Sequence, residues 1–219
     1  MIHKKKSKLF LLLIFFLFTP LCKAEIKSPY QYPFYLGLIA GYGSTTWQGL
    51  VANEQNQNLA LMLSTPIEVE EGGATWGVLA GYELSPYFAI EANYMRYPNS
   101  TIYFNEISIF SFTHDGMLSL NTKTESISLM GKIMLLVPHS NFRIYSSTGA
   151  AALYRRDIIV DNWRLTPTFG VGVNYNFTEH LMGELAGNYT AGFGETQLSP
   201  ADTYFPFLYS ITARIAFRF

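Results

Sequence analysis

Eight charged residues recur on the polar side of alternating segments: Glu83, Glu91 and Glu184 with Lys132, Arg143, Arg164, Arg214 and Arg218. If those segments enclose a narrow interior, the chemistry open to them is ion pairing. A lone charge in such a place is costly, whereas a paired and hydrogen-bonded one is tolerable. The set predicts a plug of ion pairs, with Glu91 and Lys132 on neighbouring strands as its first pair; contact of the same groups with interior water is the alternative. Catalysis would need a nucleophile or activated water beside a base, usually a histidine. His139-Ser140 lies in a turn with no third group to orient it, and His180 lies in another turn. His114-Asp115 is an unsupported pair in a loop, so no catalytic residue is assigned. Glu68, Glu70 and Glu71 could hold calcium, but a solvated acidic stretch explains them more simply, and neither metal nor cofactor is expected. Arg155 and Arg156, followed by Asp157 and Asp161, are outer-rim candidates for the phosphates of a surface glycolipid; pairing with those acids is the competing reading.

The elements that must hold these residues are strands. Tyr209 to Phe219 alternates without a break, with Tyr209, Ile211, Ala213, Ile215, Phe217 and Phe219 on one face and Ser210, Thr212, Arg214, Ala216 and Arg218 on the other. Similar alternation predicts seven earlier strands, at 35–46, 74–84, 88–97, 126–137, 142–154, 163–177 and 181–190, and an eighth that starts near Phe205 and ends at Phe219. Pro167 predicts a local bulge in the sixth. Short connections (85–87, 138–141, 178–180) interleave with long ones (47–73, 98–125, 155–162, 191–204). That rhythm fits short periplasmic turns and long extracellular loops. Ten strands would require splitting 98–125; an extension of the third and fourth strands above the membrane is preferred. Aromatics predict two girdles, with Tyr35, Phe88, Phe142, Phe177, Phe217 and Phe219 below and Trp47, Trp76, Tyr154, Trp163 and Tyr189 above.

The N-terminus gives the compartment. Lys4, Lys5, Lys6 and Lys8 precede the apolar run Leu9 to Phe18 and a small-residue exit at Ala24, which predicts a signal peptide over 1–24 and a mature domain over 25–219. The run of about ten residues is too short for a spanning helix, which needs about 20. Thr19 stands three residues before Cys22, where a lipidation signal would carry an aliphatic residue. Cleavage would remove the single cysteine and leave ten basic against sixteen acidic residues, a net charge of −6. Disulfides and thiolate metal sites are thereby excluded, and acidity argues against nucleic acid. No later segment has about 18 apolar residues in a row, yet 49% of the chain is hydrophobic and 16% aromatic. A closed barrel in a bacterial outer membrane accounts for these facts together, because lipid admits only helices and closed barrels. A soluble sandwich would not need apolar faces on every strand with aromatics at both ends. The expected fold is thus all-β, an eight-stranded antiparallel up-and-down transmembrane β-barrel.

The opening strand Tyr35-Leu-Gly-Leu-Ile-Ala-Gly-Tyr42, then Gly77-Val-Leu-Ala-Gly-Tyr-Glu83, Ala89-Ile-Glu-Ala-Asn-Tyr94 and the Tyr209 to Phe219 ending resemble, in that order, the OmpA-like and OmpX-like outer-membrane barrel family. The resemblance implies that the aromatic ending, with Tyr209, Phe217 and Phe219, is an assembly signal read by the barrel-assembly machinery. Some members of that family carry a separate peptidoglycan-binding domain; with the chain stopping at Phe219 none is expected here, nor is a cell-wall-tethering role. The function expected is a non-enzymatic barrel displaying surface loops for envelope integrity, adhesion or host interaction. Its partners would be outer-membrane lipid and lipopolysaccharide. Loops 47–73 and 98–125 carry Leu59 to Leu63, Ile107, Phe110 and Phe112, which suggests either contact with an extracellular ligand or packing of the two loops on each other. A lipid-modifying enzyme using His114 and a narrow solute channel are the alternatives.

Overall fold

The computed structural model describes residues 32–47, 67–104, 118–193 and 204–219. The expected signal peptide, His114 and the apolar stretches at 59–63 and 107–112 lie outside them. Among the described residues ten strands form: β1 (Phe34–Ser44), β2 (Glu68–Glu70), β3 (Gly73–Ser85), β4 (Phe88–Arg96), β5 (Ser100–Tyr103), β6 (Ser119–Leu136), β7 (Phe142–Arg156), β8 (Asp161–Asn176), β9 (Leu181–Thr190) and β10 (Leu208–Arg218). Eight of them close a ring in the order β1-β3-β4-β6-β7-β8-β9-β10, every pairing antiparallel, with β10 returning to β1 through Tyr35↔Arg218 to Ser44↔Tyr209. Closure leaves the ring no edge strand, so its backbone donors and acceptors can be satisfied without water.

The two remaining strands sit at the long-loop end. β5 pairs with Ser119 to Thr122 of β6, and β2 pairs with β5 in turn. The third and fourth strands thus continue beyond the ring, interrupted at Tyr97-Pro98-Asn99, and β6 starts seven residues earlier than its alternation predicts at Ser126. The connection between β7 and β8 is short rather than long, because β7 runs to Arg156 and β8 begins at Asp161.

Pro167 makes no bulge: it pairs with Ala150 inside an unbroken β7–β8 register. Its carbonyl accepts the Ala191 N–H, so its missing donor falls on the β9 side, and the β9 ladder begins only at Thr168. The missing N–H interrupts no ladder there. The β3–β4 register shifts instead between Glu83 and Ser85, beside a turn.

Alternation sorts the side chains by face. On β10, Tyr209, Ile211, Ile215 and Phe217 are exposed while Ser210, Thr212, Arg214, Ala216 and Arg218 are buried inside. Leu36, Leu38, Val78, Ile90, Leu129, Ile133, Leu135, Ile144, Val171 and Leu185 give the ring an apolar exterior. Phe88, Phe142, Phe177, Phe217 and Phe219 are exposed at the short-turn end, and Trp76, Trp163 and Tyr189 at the other. Tyr35 and Trp47 belong to neither girdle, since each is only 1% exposed and turned inward. Tyr35 shares its face with Gly37 and Ile39, and period-two parity overrides the aromatic's preference for a headgroup.

Candidate functional site

The interior is filled in layers. Halfway along the ring, Glu91 of β4, Lys132 of β6, Glu184 of β9 and Arg214 of β10 form a closed square of four charges. Lys132 Nζ donates to Glu91 Oε2 at 2.7 Å and to Glu184 Oε2 at 2.9 Å. Arg214 Nη1 donates to Glu91 Oε1 and Glu184 Oε1, both at 2.9 Å. Each cation bridges both carboxylates, and the set is neutral. Two tyrosines complete it. Tyr35 Oη donates to Glu91 Oε2 at 2.9 Å, and Tyr145 Oη donates to Glu184 Oε1. Lys132 Nζ also lies 4.2 Å from the centre of the Tyr145 ring, a cation–π contact. Arg214 Nη2 donates to Asn188 Oδ1 at 2.9 Å and its Nε to Thr212 Oγ1 at 3.4 Å. The side chains of all four charged residues are 2–3% exposed. Burial of charge is tolerable here because nearly every lone pair and proton has a partner.

Glycine makes room for both tyrosines. Tyr35 is paired across strands with Gly81, and Tyr145 with Gly172. A Cβ on Gly81 would lie 2.2 Å from Tyr35 Cζ, and one on Gly172 would lie 2.6 Å from Tyr145 Cζ. Each ring therefore lies flat over a position where any side chain would displace it.

A second cluster sits nearer the short turns. Arg143 holds Glu83 bidentately, Nη2 to Oε1 at 2.7 Å and Nη1 to Oε2 at 3.2 Å, and Arg218 Nη2 reaches Glu83 Oε1 at 2.6 Å. Arg143 Nε donates to Asn174 Oδ1 at 2.9 Å. Four residues along β10 separate Arg214 from Arg218, about 13 Å of strand, so the two layers are distinct.

Toward the long loops the filling turns apolar. Ile39, Leu79, Met95, Tyr97, Leu153, Val160, Phe205 and Leu208 pack there, and Trp47, Ile102, Phe104, Leu120 and Tyr204 form a second group. Arg155 is clamped beneath this cap. Its Nε meets Asp157 Oδ2 at 2.6 Å, its Nη1 donates to the Tyr204 carbonyl at 2.5 Å, and its guanidinium lies 4.7 Å from the Trp47 ring centre. Glu71 accepts the Trp47 N–H at 2.9 Å and the Thr45 hydroxyl at 2.5 Å. Burial pushes the Tyr204 phenol up, while the charge of Glu70 raises that of Tyr103 on the outer extension.

Of the eight interior candidates, seven stand in these two clusters. Arg164 does not: it is exposed, and its guanidinium lies 5.2 Å from the Phe193 ring centre and 5.9 Å from that of Phe205. Its parity is inward, but its level on β8 lies above the point where β9 leaves, so it leans over the cap. Arg155 is not at a lipid-facing rim either, because it is fully buried on the inward face; Arg156, next in sequence, points out. Glu68 and Glu70 lie on β2, apart from the task of Glu71, and among the described residues no three His, Cys, Asp or Glu side chains gather as a metal site. His139 takes a turn conformation with φ 58°. His180 stacks on Phe217 at 5.4 Å, its Nδ1 3.0 Å from the Arg218 carbonyl oxygen. Neither histidine faces a carboxylate or a hydroxyl nucleophile in these contacts. The residues that pattern reading missed are Tyr35, Tyr145 and Asn174; their parity was the available signal.

The profile of the family described as outer membrane protein beta-barrel domain matches residues 11–217. Neisserial surface protein A is similar in structure, with a TM-score of 0.51 at 12% identity over 85% of this chain and 97% of that one. The outer membrane protein AlkL in lipid bilayers gives a TM-score of 0.50 at 14% identity over 90% and 95%. At such identities the likeness is one of fold. No curated protein sequence matches the chain.

Proposed function

Because the chain belongs to the outer membrane protein beta-barrel domain family, we propose that it is a non-enzymatic support in the outer membrane, whose work is done by contact at its long-loop face. The observation that carries this reading is the buried square of Glu91, Lys132, Glu184 and Arg214 with its two tyrosines. Eight strands leave an interior just wide enough for side chains, and here it is occupied by groups already engaged with one another. In such a lumen the carboxylates of Glu83, Glu91 and Glu184 are all held by cations. What it offers is a rigid stem. Above it stand the β2–β5–β6 extension and the cap around Trp47 and Tyr204, which together present surface to the outside. Envelope integrity, adhesion or host interaction is the use such a surface serves.

In this reading residues 1–24 direct export, and Tyr209, Phe217 and Phe219, all outward on or just after β10, are read by the assembly machinery. The test replaces residues within 48–66 and 105–117 by short polar linkers, which leaves the described cap intact. Cells carrying the shortened protein are compared for surface attachment and detergent resistance. Unchanged behaviour in both would sink the loop-display reading. A large, steady conductance of the purified protein in planar bilayers would sink the closed stem.

A further inference from the structure

The outer surface of the ring is not uniform around its circumference. Below the level of Glu125, no Asp, Glu, Lys or Arg among the described strand residues faces outward. On β6 the apolar exterior runs from Ile127 to Leu135, about 27 Å along the strand and about 20 Å along the membrane normal at a tilt of about 40°. Glu125 and Lys123 are the next outward positions, about 5 and 10 Å higher on the same reckoning. Register then places more charge beside them. Arg96 of β4 pairs with Glu125, while Lys123 pairs with Arg156 of β7 and Arg156 with Asp161 of β8. All five charges fall on four adjacent strands. The corresponding rim of β9, β10 and β1 carries Tyr189, Tyr209 and Tyr42 instead.

Three cations meet two acids in this row, which leaves it one positive charge in excess. Asp161 Oδ1 accepts the Tyr154 hydroxyl at 2.7 Å, and its pair with Arg156 is long at 3.7 Å with both side chains more than 60% exposed. Glu125 is held by Lys123 at 2.6 Å. The exposed Arg156–Asp161 pair contributes about 0–1 kcal/mol, so a stronger anion can displace it, whereas the Lys123–Glu125 pair is shorter and more sheltered. A phosphate engages guanidinium groups bidentately and carries more charge than a carboxylate.

We propose that Arg96, Lys123 and Arg156 form a one-sided binding site for the phosphate groups of an outer-leaflet glycolipid, seated on the β4–β8 face. The inference rests on the outer-membrane placement of the barrel. It replaces a symmetric lipid annulus with a single preferred face. The apolar band beneath the row receives the acyl chains, while the row meets the head group at the height where its phosphates lie.

The experiment uses the full protein in detergent micelles, with diphosphorylated lipid A, its dephosphorylated form and inorganic phosphate as probes. Bound lipid is counted by native mass spectrometry. The expected result is retention of diphosphorylated lipid A, with affinity at least about tenfold lower for the dephosphorylated form, the scale of one charge-assisted contact, and no competition from millimolar inorganic phosphate. Arg96→Gln, Lys123→Gln and Arg156→Gln combined should abolish the discrimination, whereas Tyr189→Ser with Tyr209→Ser on the opposite rim should preserve it. Equal binding of both lipids, competition by free phosphate, or unchanged discrimination in the triple variant overturns the proposal. Heat-dependent gel mobility of every variant reports the barrel separately: a missing compact form in the parent protein counts against the barrel reading, and lost discrimination by a compact parent protein counts only against the site.

Discussion

The ring of Tyr35 lies against Gly81 on the neighbouring strand, so close that a methyl group there would stand 2.2 Å from its Cζ. That proximity aims the Tyr35 hydroxyl at Glu91, 2.9 Å away, and Tyr145 repeats the arrangement over Gly172 on the opposite side of the ring.

Gly81→Ala should therefore act through Tyr35. Overpacking costs about 1–3 kcal/mol, and loss of a hydrogen bond to a carboxylate adds about 1.5–3 kcal/mol. Tyr35→Phe keeps the ring and should lose only the second contribution. Gly131→Ala serves as the control, because its added Cβ would have no neighbour closer than 3.7 Å. Urea unfolding in lipid vesicles measures all three, and equal stability of the two alanine variants would refute the role of Gly81.

The four-charge square should behave as a unit. Lys132→Met leaves two buried carboxylates with one guanidinium and should cost about 3–5 kcal/mol. Adding Glu91→Gln restores neutrality, so the double variant should be more stable than Lys132→Met alone. A double-mutant cycle on unfolding free energies gives the coupling directly. Simple additivity of the two changes would show that Lys132 and Glu91 do not depend on one another.

Arg155 should hold the cap rather than bind lipid. Replacing it with Met removes the clamp on Asp157 and on the Tyr204 carbonyl, and breaking a buried pair costs about 3–5 kcal/mol. Limited proteolysis should then cut the 191–207 connection faster, with the ring still compact on gels. Lipid A binding should not change, in contrast to Arg156→Gln.

Loss of the last aromatic should act on assembly rather than on stability. Phe219 is 55% exposed, with its N–H on the Phe34 carbonyl at 2.8 Å and its ring 5.2 Å from that of Phe217. Phe219→Ser is expected to lower the amount of heat-modifiable protein in the outer membrane several-fold in cells, while the purified variant refolds in vesicles to nearly the parental stability. A parallel fall in both would assign Phe219 a structural role alone.

The sequence by itself determined the strands of the ring, their facing and seven of the eight charges it assigned to the interior. A period of two leaves each residue only two directions, so Arg214 and Arg218 could be assigned inward from their neighbours alone. It also marked the eight-strand count through the spacing of turns. Partnership was decided only by closure. Glu91 and Glu184 lie 93 positions apart, on strands that do not touch, and share two cations because the ring brings β4 and β9 to face each other at one height. Height also separates Arg164 from its expected companions: parity gives a face but not a level, and β8 outruns β9 there. Arg155 and Trp47 were hidden for a related reason, since their burial comes from the chain around Tyr204 folding across the mouth. Alternation is a local property of the backbone, legible residue by residue; which inward groups meet depends on register, tilt and what covers the end, and these exist only in the closed barrel.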